Sequence, residues 1–147
     1  MAQSQEPTPV NANFPLPVVG EWFGPQRFML HTPFIYDDPE MGVRVEVPAG
    51  FVTDFNSTPR AVWWYFAPID ILEAGIIHDW LYAHPERFES QSYKPPLTRE
   101  QIDGIHRRIL DLKGMRWTKR QVIHGFLRAG GGVAWNRHRR ADPLDTK

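Results

Sequence analysis

A chain of 147 residues, 41% hydrophobic and 13% aromatic, has enough apolar bulk for one packed domain and too many aromatics for a disordered one. Seventeen basic and seventeen acidic residues cancel, so no overall field draws the protein to nucleic acid. Cysteine is absent, which excludes disulfides, thiolate zinc sites and a cysteine nucleophile.

Residues 1–19 hold Pro7, Pro9, Pro15 and Pro17 with no helical or strand period, and read as an extended arm suited to docking on a neighbouring subunit. On that reading the folded domain covers 20–136, and 137–147 is a basic polar tail. From Phe28 to Tyr36 the chain reads as one strand with an edge-type proline, Pro33. Val43 to Val47 alternates strictly and predicts a half-buried strand. Pro48-Ala49-Gly50 is a turn, and Phe51 to Phe55 a further short strand.

After Pro59 the pattern becomes helical. Ser57 or Thr58 can cap a helix carrying Val62, Trp63 and Phe66. A longer buried helix is predicted from Ile69 to His84, with Leu72, Ile76, Trp80 and Ala83 at helical spacing. Thr98-Arg99-Glu100-Gln101 is a capping box opening a helix through Ile102, Ile105 and Ile109, ended by Gly114. Thr118 can cap a last helix through Val122 and Ile123, interrupted by Gly130-Gly131-Gly132. The expected class is α+β, a small antiparallel sheet followed by three helices.

The polar residues inside these apolar elements are the candidates for chemistry. His78 and Asp79 stand side by side mid-helix, where burial is costly unless each is paired or coordinated. They point about 100° apart, so one can face a cleft while the other reaches a loop or a metal. Tyr82 shares the His78 face one turn on. Asp54, between two aromatics at the end of a strand, can present a carboxylate or close a turn. Asp103 lies early in the capping-box helix, with His106 one turn later. Together Asp54, His78, Asp79 and Asp103 offer oxygen and imidazole groups for a hard cation, or a histidine base oriented by a carboxylate. The other histidines lack metal-binding spacing.

The run Val47-Pro48-Ala49-Gly50-Phe51-Val52-Thr53-Asp54-Phe55-Asn56-Ser57-Thr58-Pro59-Arg60, then His78-Asp79-Trp80-Leu81-Tyr82, then Asp103, resembles domain of unknown function 1353, a family of tailed phages and prophages. The resemblance spans roughly residues 25–135 and implies a phage origin, with a virion or the host cytoplasm as location. It implies no activity. A shorter similarity, His-Asp-x-x-Tyr followed by a helical Asp, is to secreted and parvoviral phospholipases. It implies His78 as base, Asp79 as calcium ligand, and Tyr82 and Asp103 as an orienting pair. The glycine-rich calcium loop of those enzymes is missing; only the turn around Asp54 stands in its place.

Two readings follow. In the first, the chain is a virion-associated structural or adaptor protein of the tail or connector region, meeting other phage proteins through residues 1–19 and its aromatic surface. In the second, it is a metal-assisted hydrolase of lipid ester or cell-wall amide bonds, with a calcium or zinc ion on Asp54 and Asp79. No apolar run reaches the ~20 residues of a membrane span. The basic stretch Arg137 to Arg140 is too short, without a reading motif, to make nucleic acid the expected partner.

Overall fold

The computed structural model describes residues 12–24, 27–54, 71–125, 128 and 135–136. Five short strands and two long helices follow in order: β1 (Gly20–Trp22), β2 (Phe28–Leu30), β3 (Phe34–Asp37), β4 (Arg44–Val47), β5 (Val52–Thr53), α1 (Leu72–Ala83) and α2 (Arg99–Leu112). A third helical stretch covers 117–125. The class is α+β, as composition and periodicity predict. The helix expected after Pro59, its cap at Ser57 or Thr58, the Gly130–Gly132 break and the basic tail lie outside the described residues.

Where one strand was expected from Phe28 to Tyr36, the chain forms two. β2 sits between β1 and β5 in an antiparallel sheet of order β1-β2-β5, while β3 pairs with β4 in a separate hairpin. The break falls at His31-Thr32-Pro33. Proline has no N–H to give a ladder, so the chain leaves the first sheet after Leu30 and enters the second at Phe34. Both pieces keep the alternating burial of the original pattern: Phe28, Leu30, Phe34 and Tyr36 all point into the core.

The core also reaches into the segment expected to be an arm. Phe14 is 8% exposed, its ring 6.0 Å from Phe34 and 5.2 Å from Tyr36. Asn13 holds the backbone of Asp37 from both sides, its carbonyl accepting from Asp37 N at 2.9 Å and its amide donating to Asp37 O at 3.0 Å. Residues 1–11 lie outside the described residues.

α1 is buried nearly all round, from Leu72 through Ile76, Ile77, Trp80 and Leu81. Such a helix is stabilised by what surrounds it rather than by an amphipathic stripe. α2 opens with the predicted capping box: Thr98 Oγ1 accepts from Gln101 N at 3.2 Å, and Gln101 Oε1 accepts from Thr98 N at 2.8 Å. A cap of this kind contributes about 1 kcal/mol. The helix ends before Gly114, whose φ of 78° suits glycine. The third helical stretch begins at Trp117, one residue before the cap expected at Thr118.

A second long-range tie was not foreseen. Asp38 is 3% exposed; its Oδ1 accepts from the N–H groups of Glu40 (3.0 Å) and Met41 (2.7 Å), closing the β3–β4 turn. Its Oδ2 accepts from Tyr36 Oη and from Arg108 Nε of α2, both at 2.9 Å. One buried carboxylate thus shapes the hairpin and fastens it to α2.

Candidate functional site

α1 lies against α2, and the line of contact carries the polar residues singled out by their burial. His78 and Tyr82 share one face of α1, their ring centres 4.0 Å apart. Both meet Asp103 of α2: His78 Nε2 lies 2.8 Å from Asp103 Oδ1, and Tyr82 Oη donates to the same oxygen at 2.6 Å. Asp103 Oδ2 is faced by two guanidinium groups, Arg128 Nη1 donating at 3.3 Å and Arg99 Nε at ion-pair distance, 3.7 Å. Arg99 further donates to Tyr82 Oη (3.3 Å) and to the backbone carbonyl of Arg128 (2.7 Å). His78 is 1% exposed and Asp103 0%.

Asp79 points elsewhere, as the helical angle predicts. Thr53 Oγ1 of β5 donates to Asp79 Oδ2, and Asp79 Oδ1 lies 3.9 Å from His78 Nδ1. The β5 turn therefore does pack over α1. Asp54 follows β5 directly and is half-buried, while its neighbour Thr53 supplies the hydrogen bond to the helix. Among the described residues, no three His, Asp or Glu side chains gather as ligands for a metal ion.

Electrostatics follow from this geometry. Burial alone would raise the Asp103 pKa, but the hydrogen bond and charge of His78, with Tyr82 and Arg128, outweigh it and hold the carboxyl at about 2. Burial alone would favour neutral His78; the bonds and charges of Asp103 and Asp79 reverse this and raise its pKa. Both directions favour the imidazolium–carboxylate form of the pair. His106, ring to ring with His78 at 5.1 Å, is pushed the other way, well below 6.5, by burial and then by the His78 charge. Tyr82 is raised, by burial first and then by Asp103.

These directions give stability a signed pH dependence. The His78 contribution is present below the ordinary imidazole pKa and is lost as pH rises through its raised folded value. The His106 contribution is present above 6.5 and is lost as pH falls, because unfolding lets the ring take a proton. The Asp103 contribution goes last, as pH falls toward about 2. Urea unfolding of His106→Leu is expected to show a shallower fall in stability between neutral and mildly acid pH than the parent. An unchanged slope would remove His106 from the account.

Three contributors were not named as site residues. Thr53 lay in the quoted motif without a role, and Arg128 carries no local signal. Arg99 stands four residues before Asp103, a spacing at which helical side chains meet, and could have been named.

Taken together, fold and site define an α+β domain in which a histidine, an aspartate and a tyrosine join a buried helix to the inner face of a second. The chain belongs to the family described as protein of unknown function DUF1353, which it matches over residues 28–126. No curated protein and no solved structure matches it.

Proposed function

We propose that the protein is a phage virion-associated structural or adaptor protein, in which the His78–Asp103 pair is a clamp between helices. One observation carries the clamp: both nitrogens of an almost fully buried imidazole face carboxylates, Asp103 at 2.8 Å and Asp79 at 3.9 Å. An imidazole so enclosed and charged holds its proton instead of taking one from water. The phage setting is supported by the association of this family with tailed phages and prophages that the sequence resemblance implies. Mass spectrometry of purified particles from the phage or induced prophage encoding the chain tests it. The expected result is a fixed copy number per particle that survives a high-salt wash; absence from particles would contradict it.

A second reading is favoured by the Nε2 side of the ring. Asp103 and Tyr82 stand as the orienting pair that the phospholipase similarity implies. In this reading Nε2–H donates to Asp103, and Nδ1 takes the proton of a water attacking an ester or amide carbonyl. It requires His78 in its neutral form with Nδ1 turned to substrate rather than to Asp79.

A further inference from the structure

Charge is unevenly placed along this neutral chain. Residues 1–98 hold twelve acidic and five basic side chains, and residues 99–147 hold five acidic and twelve basic. The contrast is sharpest between Asp111 and Asp142, where eight Lys and Arg residues occur with no Asp or Glu among them. The third helical stretch, 117–125, opens this run. Ile123 is fully buried and anchors its inner side. Trp117, Thr118, Val122 and Gly125 fall on the other side of the helix and are exposed. Trp117 is 63% exposed, the highest value for a large hydrophobic side chain among the described residues. Arg116 beside it and Arg107 of α2 are exposed as well, and among the described residues neither has a carboxylate within 4.0 Å.

On β4 the unanswered charge has the opposite sign. Asp37 takes up Arg44 through two hydrogen bonds, and Glu86 lies 4.0 Å from Arg87. Glu46 of β4 is exposed, and so is Glu89, whose backbone is bonded to the same strand at Arg44. Neither has a Lys, Arg or His nitrogen within 4.0 Å among the described residues.

We propose that the 117–125 helix of one copy docks, through Trp117 and Arg116, on the Glu46–Glu89 surface of a second copy. Tryptophan and arginine are the side chains that most often carry binding energy at protein interfaces, and here they stand next to one another in water. The two carboxylates supply the sign that Arg116 selects. The second copy is the occupant because both halves of the match are surfaces of this chain, and the charges of its two parts cancel. A nucleic acid or an anionic lipid surface would answer the helix but leave both glutamates unmet. A contact centred on one nine-residue helix is small, so the association is weak and falls as salt rises. It requires neither the His78 clamp nor the phage setting.

Sedimentation velocity of the full chain, over a range of protein concentrations at low and high sodium chloride, tests the pairing. Reversible self-association is expected at low salt and should weaken at least tenfold at high salt. Trp117→Ala, Arg116→Glu and the double change Glu46→Lys with Glu89→Lys, all at exposed positions, should each weaken it at least tenfold while the circular dichroism stays that of the parent. An equal mixture of the Arg116→Glu protein and the doubly changed one should associate again, because each supplies the face the other has lost. A monomer at every concentration and salt, parent-like association of Trp117→Ala, or no recovery in the mixture would overturn the pairing. Trp117-dependent binding to phosphatidylglycerol vesicles or to single-stranded DNA by a chain that stays monomeric would overturn it too.

Discussion

Replacing Asp103 with alanine is expected to destabilise the domain by about 3–5 kcal/mol, the range for breaking a buried pair on one side. The size follows from what Asp103 holds. One oxygen accepts from His78 and Tyr82, and the other faces Arg99 and Arg128. Alanine leaves a buried imidazole with its charge unmet at Nε2 and a buried phenol without its acceptor, in a place water does not reach. Asp103→Asn keeps the volume and one acceptor oxygen but loses the charge, and should fall between alanine and the parent. A fall in melting temperature on the order of 10 °C for the alanine variant is the thermal counterpart. Equality of the parent and Asp103→Ala curves would mean that the network adds nothing to stability.

Truncating Phe14 to alanine is the second large effect, about 3 kcal/mol, at the lower end for a buried phenylalanine because the ring is at the core's edge. The lost contacts are those with Phe34 and Tyr36 of β3. Deleting residues 1–19 should cost at least as much, since the Asn13 bonds to Asp37 go as well. This differs from the expectation drawn from composition, that the segment is an arm outside the folded domain. Urea denaturation of Phe14→Ala beside the deletion checks it; a deletion as stable as the parent would return Phe14 to a dispensable arm.

What could be read in advance and what could not divides along the range of the interaction. The capping box at Thr98, the apolar spacing of Ile102, Ile105 and Ile109, and the shared face of His78 and Tyr82 are contacts within one or two turns, and local spacing encodes them. The splitting of Phe28 to Tyr36 was missed because alternation continues through both pieces; only the missing N–H of Pro33 marked the break. Phe14 was missed because a proline-rich context masks one aromatic whose partners are about 20 residues on. Asp103 was reached as a carboxylate inside an apolar helical pattern, while Thr53, Arg128 and the Asp38–Arg108 tie join residues distant in sequence, for which periodicity has no signal. Thr53 was passed over because a carboxylate attracts a chemical reading more readily than a hydroxyl does, although its hydroxyl bonds Asp79 of α1.

The central claim is that His78 is a clamp, and His78→Gln tests it most directly. Glutamine keeps hydrogen-bonding capacity but neither the charge nor the ring packing on Tyr82 and His106. Melting curves of parent and variant should be recorded beside turnover of phospholipid vesicles and peptidoglycan, with calcium and zinc supplied. The account predicts a lower melting temperature for the variant, by several degrees, and no turnover by either protein. Turnover by the parent that His78→Gln abolishes, with the two melting curves superimposed, would contradict the clamp and establish the base.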